Sequence, residues 1–411
     1  MTRALRVPAV VLAAGLALSA CGFSGNGGGG GDGANQLSLL VPSYSDGTKQ
    51  RWEQVIASFE KEHPDITVSL EVQSWDNIND VVRTKIQSGE APDILNIDAF
   101  AGFAQDGLLH PAEEVASPET LADFQPTFVD NASMGGTMRA FPMIASTRTL
   151  FYNTDLLAQA GVAGPPKTWD ELLDASKRIS ALGNGVHGYG MPLGNEEAQA
   201  ETSIWTFGAG GSWSDGEKLT IDTPRNLEGV QAMQRMIEEG ATQPDPGATD
   251  RTPLINVFIQ GKIGMIEGLP PTIGQIEEKN PDLGWATAPI PTKDGSPVTL
   301  GVADHLMAFR NGGDKADAIR AFVDYFFSKD VYVPWVDAEG FLPTTKSGAE
   351  ALSSKPELAD FLAGLPEAQF YPGANRSWSA AQGSMQTLIG QLGQGKDPAA
   401  VLAEVQAGVE G

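Results

Sequence analysis

The sequence contains very little cysteine, histidine and basic side chain, and each shortage excludes a class of protein. The single cysteine, Cys21, cannot form a disulfide within the chain and excludes the C-x-x-C motifs of redox and zinc sites. Only 27 Lys and Arg stand against 52 Asp and Glu. Nucleic-acid binding needs a basic face that displaces counterions from phosphates, so we expect no nucleic-acid partner.

The motifs of enzyme chemistry are also missing. The four histidines, His63, His110, His187 and His305, do not pair at metal-ligand spacing, and there is no G-x-S-x-G or H-E-x-x-H motif. The run from Gly390 to Lys396 imitates a phosphate-binding loop, but an aspartate follows the lysine where a Ser or Thr would hold Mg²⁺. We therefore expect no catalytic residue, no metal site and no cofactor.

The overall composition is that of a folded, acidic protein. The hydrophobic content of 41% is that of a folded soluble protein. The length of 411 residues suggests about two domains or one large bilobed unit. The formal net charge of −25 gives a surface that repels anionic lipid headgroups and polyanionic substrates at long range.

The N-terminus has the pattern of an exported lipoprotein. Arg3 and Arg6 precede an apolar stretch, which predicts a signal peptide over residues 1–20. Leu18–Cys21 resembles the lipobox in which the cysteine becomes the lipidated first residue of the mature chain; an ordinary secretory signal is the alternative. Residues 21–36, with five consecutive glycines, predict a flexible tether outside a bacterial cell membrane.

Beyond this leader, strand and helix patterns alternate. Residues 37–41, 66–72 and 93–98 predict strands, and residues 49–62 and 78–88 predict the helices between them. This order predicts an α/β lobe of parallel strands with right-handed crossovers. Further helices are predicted from an N-cap at Thr168 and over residues 227–239, 314–327 and 385–392.

Tryptophan is the one plentiful residue that points to a ligand. The chain has eight, and most stand among polar residues, as Trp75 and Trp205 do. Indole faces stack on the apolar C–H faces of sugar rings, whereas hydroxyls at the ring edge suit Asp, Glu, Asn and Arg. Core packing is the alternative for each tryptophan.

Several segments, in this order, resemble the extracellular solute-binding proteins of carbohydrate ABC transporters, the group that includes maltose-binding protein. The resemblance covers nearly all of residues 37–409, and its most specific part is the sequence PPKTWDEL at Pro165–Leu172. Further matching segments are Ala91–Ile94, Gly107–Leu109, Phe141–Pro142, Leu150–Asn153, Phe258–Met265 and Gly340–Thr344.

The resemblance implies an α/β, two-lobed periplasmic-binding-protein fold of type II, with a sheet and helices in each lobe, a hinge and a central cleft. It places one lobe over residues 37–147 and 290–338 and the other over 150–288 and 340–411. It also implies the permease subunits of an ABC transporter as partner. We expect a monomer that is attached to the membrane through a lipid on Cys21.

The candidate ligand-binding residues follow predicted strands or lie in the matching segments, because ligands of open α/β sheets bind beyond the carboxyl ends of strands. They are Tyr44, Asp46, Trp75, Asp98, Ser146, Arg148, Trp205, Glu267, Asp304, His305 and Arg376. The resemblance aligns Asp98 with an aspartate ligand of maltose-binding protein. For Asp304 and His305, which replace a Gly-rich turn of the family, a surface loop is the alternative.

The expected function is capture of a small carbohydrate, namely a mono- or disaccharide or a polyol. Leu269 and Pro270 replace a Pro-Trp pair common in the family, which argues against a long maltodextrin. Because Arg148 and Arg376 would suit a phosphate, a receptor for glycerol phosphate or a glycerophosphodiester is an alternative. A secreted carbohydrate hydrolase and a sensor or adhesive lipoprotein of the same fold are further alternatives.

Overall fold

A computed structural model describes residues 33–216, 218–311 and 314–409. Cys21, the predicted signal peptide and most of the predicted tether lie outside these residues, so their assignments stay predictions. None of the helices in the described ranges has the length and apolar content needed to cross a membrane.

The described strands form two larger sheets and one small hairpin. In chain order they are β1 (Gln36–Pro42), β2 (Thr67–Gln73), β3 (Ile94–Ile97), β4 (Ser133–Met134), β5 (Thr137–Met138), β6 (Phe141–Thr147), β7 (Thr149–Asn153), β8 (His187–Gly190), β9 (Ile263–Gly268), β10 (Trp285–Ala288), β11 (Thr299–Ala308) and β12 (Ala368–Phe370).

Helices flank both larger sheets. They are α1 (Thr48–Glu62), α2 (Trp75–Ser88), α3 (Ala101–Gln105), α4 (Pro118–Asp123), α5 (Pro126–Asn131), α6 (Thr154–Gln159), α7 (Trp169–Ser180), α8 (Ala198–Gly208), α9 (Pro224–Glu238), α10 (Arg251–Ile259), α11 (Pro271–Lys279), α12 (Ala316–Phe327), α13 (Lys329–Glu339), α14 (Lys346–Leu352), α15 (Ala359–Gly364), α16 (Trp378–Leu388) and α17 (Pro398–Val409).

The first sheet has the strand order β12-β11-β3-β1-β2, and β6 also pairs with β11. Strands β1, β2 and β3 are parallel, as the sequence predicts, whereas β11 runs antiparallel to β3 and β6. Helix α1 packs its Trp52, Ile56 and Phe59 into the core and ends at His63, where a proline follows.

The second sheet has the order β10-β7-β9-β8. Its helix α7 begins where predicted, because the Thr168 hydroxyl accepts a hydrogen bond from the Glu171 amide at 3.3 Å. Helix α8 is buried on every side and packs against α9. The last predicted helix begins earlier than expected, since α16 starts at Trp378 and becomes a 3₁₀ turn from Ile389.

The chain crosses between the two sheets at neighbouring positions. Arg148 separates β6 from β7, and residues 289–298 connect β10 to β11. The two crossings are tied together, because the Arg148 amide donates to the Leu300 carbonyl at 3.1 Å and the Thr299 hydroxyl donates to the Arg148 carbonyl at 2.6 Å. These paired crossings form a hinge-like connection beside the cleft.

A third crossing follows β12. Before it, Leu342 exchanges main-chain hydrogen bonds of 2.9 Å with Ala145 of the first sheet. After it, Trp378 and Met385 of α16 pack with the core of the second sheet. The division into lobes stays a prediction, and we infer that residues 340–370 belong with the first sheet rather than with the second.

Candidate functional site

A cavity of about 110 Å³ lies between the two sheets. The residue after β3, Asp98, and the crossing residue Arg148 both line it, as do Ser146 on β6 and Asp304 on β11. The N-terminal ends of α2, α8 and α10 contribute Trp75, Gln199 and Arg251. The cavity therefore lies where strand ends and helix starts of both sheets converge, which is the usual place for ligands of α/β folds.

On the first-sheet side, Tyr44 and Asp304 form a buried hydrogen-bonded network with Asn96. The Tyr44 hydroxyl lies 2.7 Å from Asp304 Oδ2 and 2.8 Å from Asn96 Oδ1. The Asn96 amide nitrogen is already used, because it donates to the His305 carbonyl at 3.1 Å.

Counting hydrogens indicates that Asp304 carries a proton in this network. Two oxygen–oxygen contacts flank the Tyr44 hydroxyl, and that hydroxyl has one hydrogen to donate. The second hydrogen is available if Asp304 is protonated and donates to Tyr44, which then donates to Asn96. In agreement, burial and the nearby Asp98 charge raise the pKa of Asp304 to about 7.

Asp98 connects elements that pack on different sheets. Its Oδ2 atom accepts a hydrogen bond of 3.0 Å from Gln382 Nε2 on α16. Burial raises the pKa of Asp98 above its usual value, although the hydrogen bond from Gln382 opposes the shift. The residue thus combines a cavity-lining carboxyl group with a contact that spans the cleft.

On the second-sheet side, one carboxylate pairs with two arginines. Glu197, which precedes α8, pairs through Oε1 with Arg148 Nη2 and through Oε2 with Arg251 Nε. Burial acts to raise the pKa of Glu197, but the charges of the two arginines outweigh it and hold that pKa below its usual value. Glu197 is therefore ionised at neutral pH.

Behind this trio lies a second set of buried acids. Glu201 Oε1 accepts hydrogen bonds from the Tyr189 hydroxyl at 2.6 Å and from Trp205 Nε1 at 3.0 Å. Arg251 Nη1 donates to the Glu267 main-chain carbonyl at 2.9 Å. Burial raises the pKa of both glutamates, and the Glu201 charge raises the pKa of Glu267 further, whereas the two arginine charges oppose the shift.

Several residues that line the cavity have a buried polar atom without a hydrogen-bond partner among the described residues. These atoms are Arg148 Nε and Nη1, Gln199 Oε1, Arg251 Nη2, the Tyr371 hydroxyl and Gln382 Oε1. Buried polar atoms are nearly always satisfied, so a group of them around one cavity indicates that a ligand or water supplies the partners.

Aromatic rings form the rest of the wall. Tyr44 packs edge-on against Trp75 at 5.7 Å and against Phe341 at 4.9 Å between ring centroids. On the other side Tyr371 stacks on Trp378 at 5.0 Å. The cavity therefore combines apolar ring surfaces with hydrogen-bonding groups at their edges, as the sequence reasoning expected of a sugar site.

The structure brings six of the sequence-predicted site residues to this cavity, and their role as ligand contacts stays a prediction. They are Tyr44, Trp75, Asp98, Ser146, Arg148 and Asp304. The alternative of a surface loop for residues 301–305 is wrong, because they form the middle of β11 in the first sheet.

The other five predicted residues do not line the cavity. Asp46 is exposed in an outer hollow, 3.8 Å from Lys279. Trp205 and Glu267 are buried in the second-sheet core behind the arginines, and His305 is buried behind Asp98 with Nδ1 2.8 Å from its carbonyl. Arg376 is exposed in a separate groove beside Trp213.

The physical reason differs among these five. The Trp205 indole satisfies its nitrogen on Glu201, four residues earlier on α8, which is core behaviour. Burial lowers the pKa of His305 to about 4, so its ring is neutral and supports the Asp98 main chain. Asp46 and Arg376 lie in exposed turns and line other hollows of the surface.

Sequence reasoning missed Glu197, Gln199, Arg251, Tyr371 and Gln382. Glu197, Gln199, Arg251 and Gln382 lie in helices or directly before one, where the strand-end rule does not apply. Tyr371 follows β12, a strand that the sequence analysis did not predict. The sequence contained one weak indication, because Arg251 is the one charged residue of the mostly apolar helix α10 and is its first residue. Within the described ranges, no group of three or more His, Cys, Asp or Glu is placed to hold a metal ion.

Two sheets with a polar and aromatic cavity between them define the class of a two-lobed ligand-binding protein, and comparison with known proteins identifies the family. Residues 44–333 match the family of bacterial extracellular solute-binding proteins. A relative from Brucella abortus, named only provisionally as a binding protein, is 32% identical over 411 residues, with 96% of each chain covered.

More distant relatives have named ligands. The maltotriose-binding protein of Pyrococcus abyssi is 23% identical over 362 residues, covering 84% of this chain and 75% of that protein. The sn-glycerol-3-phosphate-binding periplasmic protein of Brucella melitensis is 25% identical over 280 residues, 64% of each chain.

A solved structure shows the same fold. The ABC transporter solute-binding protein of Thermotoga lettingae, bound with alpha-D-tagatose, matches with a TM-score of 0.81 at 24% identity, over 91% of this chain and 98% of that one. The chain belongs to the family of bacterial extracellular solute-binding proteins.

Proposed function

We propose that this protein captures one small, uncharged carbohydrate or polyol between its two sheets and delivers it to the permease of an ABC importer. The observation that carries the proposal is the cavity itself. It lies between the two sheets, it has aromatic walls, and residues that line it have buried polar atoms without a hydrogen-bond partner among the described residues. A polyhydroxy ring would place its C–H face on the aromatic walls and its hydroxyls against the unpartnered polar groups.

The size of the cavity favours a small ligand. One water-sized group needs about 10–15 Å³ in this kind of volume. A space of about 110 Å³ therefore holds a ligand of about ten non-hydrogen atoms. This matches a monosaccharide or a polyol better than a maltodextrin.

The lining groups have complementary hydrogen-bonding roles. Asp98 offers carboxylate oxygens that accept from hydroxyls, and one carboxylate can serve two neighbouring hydroxyls. Arg148 offers the free donors Nε and Nη1. The Trp75 and Tyr44 rings provide the apolar surface for the C–H face of a sugar.

A thermal-unfolding screen tests this proposal. The purified protein is heated with mono- and disaccharides, polyols, sn-glycerol 3-phosphate and amino acids, and each stabilising compound is then checked for chemical change. A ligand present at 100 times its dissociation constant adds about 2.7 kcal/mol of stability. Stabilisation by a neutral sugar or polyol that is recovered unchanged supports the proposal, and stabilisation by amino acids alone contradicts it.

A receptor for glycerol phosphate is the second candidate, and one observation favours it. Arg148 and Arg251 both line the cavity, and arginine is a common partner of phosphate. One relative is named as a binding protein for sn-glycerol 3-phosphate. In the same screen this candidate predicts that sn-glycerol 3-phosphate stabilises the protein more than neutral sugars do.

A carbohydrate hydrolase would use a carboxylate pair, and Asp98 and Asp304 are the acids of the first-sheet side that line the cavity. The family and its solved member are binding proteins. Depletion of a stabilising sugar during incubation would favour the hydrolase over the importer subunit.

We also propose that the protein acts as a monomer held at the outer face of the cell membrane by a lipid on Cys21. The lipobox pattern and the glycine-rich residues that follow it support this arrangement. A short flexible tether leaves the cleft free to meet a permease in the same membrane.

A further inference from the structure

The position of Glu197 between two arginines has a consequence for ligand charge. The Arg148 and Arg251 side chains are only 3% and 5% exposed, whereas that of Glu197 is 23% exposed. Since all three line the cavity, the Glu197 side chain is the most accessible of the three to a ligand. A ligand that enters the cavity therefore meets the Glu197 carboxylate together with the arginine charges.

A carboxylate and a phosphate compete for the same guanidinium donors. Arginine binds both with paired N–H groups, because the oxygen spacing of either anion fits the guanidinium fork. Each Glu197 oxygen pairs with a different arginine, so both positive charges already have a fixed partner. An incoming phosphate would have to displace Glu197 or approach it against repulsion.

The remaining charged groups of the cavity strengthen this bias. Asp98 and Glu196 also line it, so the two arginines face three carboxylates among the described lining residues. Asp304 is not counted, because it carries a proton. Like charges within a few ångströms of each other in a water-poor cavity repel strongly. An uncharged ligand avoids that cost.

We propose that Glu197 determines ligand specificity by occupying the anion position of the Arg148–Arg251 pair, so that the cavity accepts uncharged polyhydroxy compounds and rejects phosphorylated ones. This inference rests on the proposed function, because it takes this cavity as the place where the ligand binds. It makes Glu197, rather than either arginine, the residue that separates a sugar receptor from a sugar-phosphate receptor in this chain.

The first test replaces the carboxylate by its uncharged amide. Glu197→Gln keeps the side-chain shape, and we expect its dissociation constants for inorganic phosphate and sn-glycerol 3-phosphate, measured by calorimetry, to fall at least tenfold below those of the wild type. Glu196→Gln is the matched control. Its carboxylate accepts a hydrogen bond of 2.9 Å from the Thr252 amide instead of pairing with the arginines, so removing its charge should change the phosphate affinity less than about threefold.

The second test asks whether a small anion can replace the missing carboxylate. Glu197→Ala leaves a space between the arginines, and 50 mM sodium formate should raise its melting temperature by at least about 1 °C relative to sodium chloride. The wild type and Glu196→Ala should show no difference between the two salts. A folded Glu197→Ala protein without this response contradicts the inference, as does a folded Glu197→Gln protein without the phosphate gain.

The wild type supplies a test that needs no variant to fold. Inorganic phosphate and sn-glycerol 3-phosphate should not stabilise it, and stabilisation by either at millimolar concentration would overturn the inference. The formate experiment contains no sugar, so it also separates the two ideas. If formate stabilises Glu197→Ala but no sugar stabilises the wild type, the role of Glu197 at the arginine pair is supported and the proposed function is contradicted.

Discussion

At the scale of single residues, some of the cavity-lining residues could be predicted from the sequence and others could not. Tyr44, Asp98 and Arg148 were predictable because they follow strands or lie at a crossover, where the α/β rule places ligands. Glu197 and Arg251 were not predictable, because they form ion pairs between residues that are far apart in the sequence, including Arg148. Asp304 looked like a loop residue because acids are rare in buried strands.

Asp98 and Asp46 are both predicted ligands, and the structure separates them. Asp98 lines the cavity, whereas the Asp46 side chain is 95% exposed in an outer hollow. We expect Asp98→Asn to weaken sugar binding more than tenfold, because hydrogen bonds to charged groups contribute about 1.5–3 kcal/mol each. Asp46→Asn should change the dissociation constant less than about twofold. Calorimetric titration with the sugar found in the screen measures both, and equal losses would contradict the assignment.

Asp304 gives a prediction for pH. Its folded-state pKa of about 7 lies above the ordinary value of 3.8, so the folded protein holds a proton that the unfolded chain releases. Stability from this group is therefore complete below pH about 4 and is lost as pH rises through about 7. The full loss is about 4 kcal/mol at 1.36 kcal/mol for each pKa unit.

Asp304→Asn removes this dependence. The amide cannot ionise and can still donate to the Tyr44 oxygen, as the protonated acid does. We expect the variant to gain stability relative to the wild type between pH 4 and pH 8, measured by chemical denaturation at each pH. A constant difference across that range would show that Asp304 is ionised throughout.

At the scale of elements, hydrophobic period and caps predicted three strands of the first sheet and six of the described helices. The buried face of α1 and the Thr168 cap of α7 are local features, and both are confirmed. Helix α8 could not be understood that way, because it is buried on every side and its polar residues bond within the core. Trp205 looked like a ligand platform for this reason.

The contact of α8 with α9 depends on a glycine. A Cβ atom on Gly229 would lie 2.6 Å from the Trp205 carbonyl oxygen, a main-chain atom that cannot move aside alone. We expect Gly229→Ala to destabilise the protein by about 1–3 kcal/mol through overpacking.

The control is Gly274→Ala on α11, where a Cβ atom would meet nothing within 4 Å. Alanine there should be neutral or stabilise by up to about 1 kcal/mol. Denaturant unfolding of both variants compares them, and an equal effect at the two positions would contradict the packing argument.

At the scale of the whole molecule, the two sheets, the tied crossings and the cavity make a unit that can close on a ligand. A ligand shifts such an equilibrium only by its preference for the closed form, and groups on both sheets give it that preference. The α/β class and the two-lobed fold were predictable from the order of strands and matching segments. The third crossing was not, because residues 340–370 carry short helices that pack on their neighbours rather than a strand pattern.

Membrane attachment is also a property of the whole molecule. We expect the exported protein to partition into detergent because of its lipid. The Cys21→Ala variant should appear in the aqueous phase, because it lacks the residue to which the lipid is attached. Phase separation in Triton X-114 followed by immunoblotting measures this. Detergent partition of the Cys21→Ala protein would contradict lipid anchoring at this residue.

The central claim is that the cavity between the sheets holds a small uncharged carbohydrate. The most direct measurement is a crystal structure of the protein with the sugar or polyol that stabilises it most. We expect one ligand in the cavity, with its hydroxyls hydrogen-bonded to Asp98 and Arg148 and a ring face stacked on Trp75 or Tyr44. A ligand bound in the groove beside Arg376, with the cavity filled by water alone, would contradict it.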